Sequence, residues 1–211
     1  MLNKNVEDII SSLKDCHYLV ASKYFTVEEI RKLYQLGIRD FGENRCQSFL
    51  EKYQELKDLD ITWHFIGHLQ TNKVSSMINK IAYLHSLDSF HLASYVEKYR
   101  IEPLDVFIQI KLTDSCEKSG IKEEEVIPFL EKIKDFKTIN VIGLMGMVDY
   151  QMSEEEKYSC YQKLTKLKTN LNELGYENIK EISAGMSNDY KIAINAGATI
   201  LRLGSIFKSE V

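Results

Sequence analysis

The chain has 211 residues, with 27 basic against 31 acidic side chains, a net charge of −4 and a pI near 5.8. Its 44% hydrophobic and 27% charged residues match an ordinary globular composition, which excludes disorder and collagen-like architecture. The acidic balance argues against nucleic-acid or anionic-membrane partners, and the longest apolar run, Val141–Val148, is far too short to span a bilayer. The polar N-terminus (MLNKNVED) carries no secretory pattern, and four cysteines without a CxxC pair read as reduced thiols in a cytoplasmic protein.

From the N-terminus, a helix is predicted over Asn5–Lys14, then a buried strand over residues 18–22 (YLVAS). Val27–Leu36 follows as a helix with Val27, Ile30, Leu33 and Tyr34 on one face, Thr26 and Glu29 as a capping box and Gly37 as its C-terminal stop. The same unit then recurs. Strands are expected at Ile38–Phe41, Thr62–Ile66, Ile81–Ser86, Asp105–Leu112, Asn140–Met147, Lys180–Ser183 and Thr199–Leu203. Helices are expected at Arg45–Leu56, Asn72–Asn79, Phe90–Tyr99, Glu123–Phe136, Ser153–Leu174 and Asn188–Ala196. With no Pro/Gly/Ser-rich linker, residues 1–211 read as one α/β domain. Eight alternating units fit a closed (β/α)8 barrel of the TIM type; an open doubly wound sheet is the competing solution, weakened by the lack of a GxGxxG after the first strand.

Working residues of such a barrel sit at the C-terminal ends of its strands. Lys23 follows an uncharged strand directly, so it is expected to be partly desolvated at the barrel mouth, with a lowered pKa and a nucleophilic amine. That chemistry serves a Schiff base with a carbonyl substrate or with pyridoxal phosphate; a structural ion pair is the alternative. The ends of strands seven and eight supply Ser183, Gly185, Ser187, Gly204 and Ser205, hydroxyls and backbone N–H groups where barrels of this kind bind phosphate, near a helix expected to begin at Asn188. Separately, each is an ordinary cap serine or turn glycine. Arg202 ends an apolar strand, either as a buried ion pair or as a permanent charge aimed at a cofactor ring, where it would keep a pyridine nitrogen unprotonated and restrain carbanion chemistry. His64 and His68 have i,i+4 spacing, but HFIGH lacks the glutamate of a zinc helix and follows strand-like residues, so no metal is expected. Glu123–Glu125 and Glu154–Glu156 read as acidic first turns of helices.

The stretches LVASK (19–23), FGENRCQ (41–47), WHFIGHLQTNK (63–73), QIKLTDSCEKSGI (109–121), GLMGM (143–147), AGMSND (184–189) and LRLGS (201–205) run in order through nearly the whole chain. In these motifs the chain resembles the pyridoxal phosphate homeostasis protein family, single-domain relatives of the alanine racemase barrel. The resemblance implies a TIM-like barrel carrying pyridoxal phosphate on Lys23 as an internal aldimine. It implies a phosphate cradle of Ser183, Ser187, Gly204 and Ser205, with Arg202 facing the pyridine nitrogen and Asn44, His64 and Met147 lining the cavity. It also implies a non-enzymatic role in binding, storing or delivering the cofactor, with effects on amino-acid and keto-acid balance. Apo-enzymes dependent on pyridoxal phosphate would be the recipients, and the protein is expected to act as a monomer. Two departures stand out: RLGSIFKSE is one residue shorter than the family's usual RIGTAIFG and places Lys208 where glycine is expected, and the first helix is expected to be short. The alternative function is an amino-acid racemase, which needs a base on each substrate face and, in two-domain racemases, draws one from a part of the protein not evident here. A metal-dependent barrel hydrolase would need a His/Asp constellation that the strand ends do not supply.

Overall fold

A computed structural model describes residues 1–113 and 120–209. Eight strands, β1 (His17–Ala21), β2 (Asp40–Glu43), β3 (Thr62–Phe65), β4 (Tyr83–Leu87), β5 (Leu104–Gln109), β6 (Ile139–Met145), β7 (Glu181–Met186) and β8 (Ile200–Leu203), form one closed parallel barrel in chain order. Closure is made by β1 against β8, with Leu19 opposite Arg202. The helices are α1 (Val6–Ser12), α2 (Val27–Gln35), α3 (Cys46–Glu55), α4 (Thr71–Met77), α5 (Phe90–Tyr99), α6 (Val126–Ile133), α7 (Glu154–Glu173) and α8 (Tyr190–Asn195). The closed barrel, not the open sheet, is therefore the fold. Among the described residues, no helix is long and apolar enough to cross a membrane.

Alternation along each strand divides the core into two parts. Val20, Phe41, Phe65, Leu84, Ile108, Leu144 and Leu201 face outward and pack with helix residues such as Ile30, Phe49, Val74, Val96 and Leu164. A smaller cluster, Leu19, Phe107, Met145 and Ile200 with Ile66, Tyr83 and Met147 against it, fills the barrel itself. The inner face also carries buried polar groups: His64, His85, Ser183 and Arg202. Those groups set up the site.

Several element limits differ from the sequence expectation, each for a local reason. β2 starts at Asp40, not Ile38, because the Ile38 and Gly37 N–H groups bond back to the Leu33 and Tyr34 carbonyls, closing α2 in a Schellman motif with Gly37 at φ 97°. β2 then continues through Gly42 and Glu43, which the sequence had placed beyond the strand. β4 starts at Tyr83 because the Ile81 carbonyl accepts a hydrogen bond from Arg100. β7 runs on through Ala184, Gly185 and Met186 across an irregular register, with Gly185 at φ 86°. Glu123–Glu125 form a 3₁₀ turn ahead of α6. α1 is short, at 7 residues. Residues 114–119 of the QIKLTDSCEKSGI run, Cys116 included, lie outside the described residues.

Candidate functional site

Lys23 sits in a 3₁₀ turn, Ser22–Tyr24, immediately after β1 at the barrel mouth. It is exposed, so the expected partial desolvation is not found; its ammonium lies 4.6 Å from the centre of the Tyr24 ring. Hydrogen bonding to Lys23 and its positive charge pull the Tyr24 phenol below its usual value. A buried clamp lies beneath the turn. Lys52 Nζ donates to the Ser22 carbonyl at 2.7 Å and pairs with Glu43 Oε2 at 2.6 Å. Ser22 and Ser48 hydroxyls also reach Glu43, and the Asn44 N–H donates to its second oxygen. Neither Glu43 nor Lys52 was anticipated, because the expected strand stopped at Phe41 and left Glu43 in a loop.

The phosphate-type donors come from the loops after β7 and β8. The Gly204 and Ile206 N–H groups both donate to Ser187 Oγ, at 3.0 and 3.2 Å, so two backbone donors converge on one oxygen. Gly204 is close-packed: a Cβ there would meet the Ala21 carbonyl oxygen at 3.1 Å. Asp189 shapes the opposite loop, accepting the Met186 N–H at 2.6 Å and the buried Tyr161 hydroxyl at 3.1 Å. Burial and the neighbouring Asp189 carboxylate push the Tyr161 phenol up. Asp189 occupies the turn that the sequence had given to the start of α8, which begins only at Tyr190. In the final loop Lys208 has extended backbone (φ −99°, ψ 144°), which any residue adopts. Its ammonium reaches Glu29 at 2.5 Å, and Glu29 also meets the N-terminal ammonium at 3.3 Å. Ser205 is exposed at the start of the 3₁₀ turn Ser205–Phe207.

Arg202 lies buried between these loops and the barrel interior. Its Nη1 donates to the Ser183 carbonyl and hydroxyl at 2.6 and 2.7 Å, and Nη2 donates to the Gly146 carbonyl at 2.9 Å. No carboxylate is among these partners, so the buried ion pair considered from the sequence is not how the guanidinium is held. Ser183 is fully buried under the mouth with its hydroxyl engaged by Arg202, apart from the cradle in which it was expected. His64 likewise points into the barrel rather than into a mouth cavity, bonded to His85 and Asp40. His68 leaves in another direction, toward Asp88. Met147 is half-buried against the inner cluster, and Asn44 Oδ1 is a buried acceptor with no partner among the described residues. The structure thus brings Lys23, Asn44, Met147, Gly185, Ser187, Arg202, Gly204 and Ser205 to the strand ends or the loops after them, and puts His64 and Ser183 inside the barrel.

A family model described as "Alanine racemase, N-terminal domain" matches residues 2–207. The pyridoxal phosphate homeostasis protein of Aquifex aeolicus is 37% identical over 195 residues, covering 91% of this chain and 86% of that protein. The chain belongs to the pyridoxal phosphate homeostasis protein family. The Synechocystis homeostasis protein is also 37% identical, over 94% of both chains. The solved structure of PipY from Synechococcus elongatus with pyridoxal phosphate bound superposes with a TM-score of 0.89 at 27% identity, covering 96% of this chain and 99% of PipY. PipY without the cofactor gives a TM-score of 0.90. Homeostasis-family membership thus agrees with the (β/α)8 barrel.

Proposed function

We propose that this protein binds pyridoxal 5'-phosphate at the mouth of the barrel and serves intracellular homeostasis of that cofactor without itself catalysing a reaction. The observation that carries the reading is the pair of backbone donors, Gly204 and Ile206, converging on Ser187 Oγ, beside buried Arg202 on β8 and across from Lys23 after the adjoining strand β1. Converging N–H groups suit a phosphate oxygen, and the Ser187 hydroxyl stands where such an oxygen would be received. The orphaned Asn44 Oδ1 supplies an acceptor for a donor on the same ligand. The residues present therefore fit the cofactor.

When bound, pyridoxal phosphate supplies an aldehyde able to condense with an amine. The chain's own contribution is placement. Lys23 offers the amine, the Glu43–Lys52 clamp holds its turn, and Gly204, Ile206 and Ser187 receive the phosphate, with Gly185 and Ser205 shaping the loops. Arg202 presents a fixed positive charge that donates hydrogen bonds without losing its proton, which restrains ring protonation and favours carrying over catalysis. Tyr161, the tyrosine whose hydroxyl meets the loop after β7, is buried and donates that hydroxyl to Asp189. The reading extends to one barrel domain over residues 1–211, a cytoplasmic monomer and apo-enzymes as recipients.

Borohydride reduction of the loaded protein followed by peptide mapping should fix the cofactor to Lys23. An unchanged near-visible band in Lys23→Ala would refute the assignment. Serine and alanine enantiomers incubated with the loaded protein should keep their configuration; steady turnover would establish the racemase.

A further inference from the structure

The barrel interior holds a polar structure that cofactor binding at the mouth does not by itself require. Arg202 Nη1 donates to Ser183 Oγ at 2.7 Å, and Ser183 Oγ lies 2.8 Å from His85 Nδ1. His85 Nε2 lies 2.9 Å from His64 Nδ1, and His64 Nε2 lies 2.9 Å from Asp40 Oδ1. The five residues come from β8, β7, β4, β3 and β2, so the chain crosses the inside of the barrel rather than following any strand. Asp40 begins β2 on the floor of the barrel and its side chain is 30% exposed, whereas that of His64 is 3% exposed and His85 is fully buried. Asp40 is therefore the end that meets solvent.

The chemistry of the two ends fixes the direction of every bond. A carboxylate only accepts, so His64 Nε2 carries its proton and Nδ1 of the neutral ring must accept. His85 Nε2 then donates, and His85 Nδ1 accepts. A guanidinium only donates, so Ser183 Oγ accepts from Arg202 and its own proton fills the link to His85 Nδ1. Both ends impose the same polarity, and no link lacks a proton or holds two.

The surroundings keep both rings neutral. Burial pushes His64 down against the opposing pull of Asp40, and burial, with the repulsion that a cationic His64 and Arg202 would add, pushes His85 well down. His64 faces His17 from β1, Asp40 from β2 and the Tyr83 ring of β4, stacked at 4.4 Å. Tyr83 in turn feels Asp105 and Glu181 from β5 and β7. His85 stacks on Phe107 of β5 at 4.3 Å and faces Ser183 and Arg202, while Arg202 feels Tyr161 and Asp189 from outside the barrel. Extra protonation of either ring would set two N–H groups face to face or put a second cation beside the guanidinium.

We propose that Asp40, His64 and His85 are positioning residues for Arg202: a one-way hydrogen-bond chain through the barrel orients the guanidinium and couples it to the ionisation of Asp40 on the floor. The role of Arg202 toward the cofactor ring rests on the function proposed above, but the chain itself does not.

The test separates the two. In protein without cofactor, ¹⁵N NMR should find His64 and His85 neutral with the proton on Nε2, and Asp40→Asn should move the ring nitrogens of His85 and the side-chain nitrogens of Arg202. An Nδ1–H tautomer on either ring, or His85 and Arg202 signals untouched by Asp40→Asn, overturns the proposal whether or not pyridoxal phosphate binds. For the cofactor, His85→Phe keeps the stack but loses both nitrogens, and should weaken pyridoxal phosphate about tenfold, the upper end for a lost neutral hydrogen bond behind Arg202. His85→Asn offers Ser183 an acceptor but cannot reach His64, and should hold affinity within about threefold of the wild type. Asp40→Asn should shift the cofactor absorbance in the wild-type background and not in His85→Asn. An equal shift in both backgrounds would show that the floor reaches Arg202 by another route.

Discussion

Lys52→Met tests the clamp beneath Lys23 most directly. The Lys52 side chain is 10% exposed and that of Glu43 0%, and their charged atoms are 2.6 Å apart. Removing the ammonium strands a buried carboxylate, for which breaking a buried pair typically costs about 3–5 kcal/mol. Neutral donors remain on Glu43: the Asn44 N–H, the Ser48 hydroxyl and a share of the single Ser22 proton, whose nearer acceptor is the Gly42 carbonyl at 3.0 Å. They place the expected cost at the low end, about 3 kcal/mol, or a fall in Tm of roughly 6–12 °C for a chain of this size. Glu43→Gln with Lys52→Met removes both charges while keeping an acceptor for those donors, and should recover about half of the loss or more. Recovery of the fold should not restore the site. The Ser22 carbonyl, which takes its bond from Lys52 at 2.7 Å, still lacks that partner in the double variant. Pyridoxal phosphate affinity should therefore stay about fivefold weaker than in the wild type, the worth of one modest hydrogen bond. Urea melts and absorbance titrations of the three proteins check this. A single variant within about 0.5 kcal/mol of the wild type, or a double variant no more stable than the single, would refute the reasoning.

The final loop should confer a specific acid sensitivity. Burial alone would raise Glu29, but Lys208, the Thr26 N–H and the N-terminal ammonium outweigh it and hold the carboxyl at about 2, below the usual 4.5. Its folded-state value lies below the unfolded one, so its contribution is present above about pH 4.5 and is lost as pH falls toward about 2. After solvent screening this is worth on the order of 1–2 kcal/mol. Lys208→Met should flatten the stability profile across that window, and parallel profiles from urea melts would contradict the account. Gly185→Ala should cost about 2–3 kcal/mol, combining a left-handed backbone with overpacking. The residue has φ 86°, and an added Cβ would sit 2.7 Å from the Ala193 Cβ and 3.1 Å from the Tyr190 Cα. Thermal melts that leave the variant within about 0.5 kcal/mol of the wild type would mean that the loop yields at little cost.

The barrel was readable because its two periodicities are loud. Apolar runs of strand length alternate with helices whose buried faces repeat every three to four residues, and eight such units have one compact closed solution. Strand limits were less readable because they depend on who takes each backbone group. Ile38 was apolar enough for a strand, yet its N–H closes α2, and the Ile81 carbonyl is taken by Arg100. The mouth was readable wherever a residue's place at a strand end decides its position, as for Lys23, Ser187, Arg202 and Gly204. Reading by strand ends failed where partners come from distant elements. Ser183 was assigned to the mouth by its place at a strand end and His64 to the cavity by the family resemblance, but the inward register of β7 and β3 puts them among His85, Asp40 and Arg202. The missed signal was the polar residue within an apolar strand, His85 in YLHSL; Glu43 gave no such signal because the expected strand stopped at Phe41.

A barrel filled by branched aliphatic side chains would be the simpler way to stack its interior layers. Here part of the filling is polar, and each polar member is supplied with a partner, as burial requires. The two polar assemblies lie behind the two residues given the most demanding roles toward the cofactor. Glu43, Lys52, Ser22 and Ser48 stand behind the turn of Lys23, and Asp40, His64, His85 and Ser183 stand behind Arg202. A flexible lysine and a buried guanidinium both need their surroundings to choose one geometry, because neither is held by packing of its charged end. Hydrogen bonds supply direction where apolar packing supplies only volume. On this view the polar interior is what lets a small barrel hold a buried charge in one geometry while leaving the amine of Lys23 exposed at the mouth.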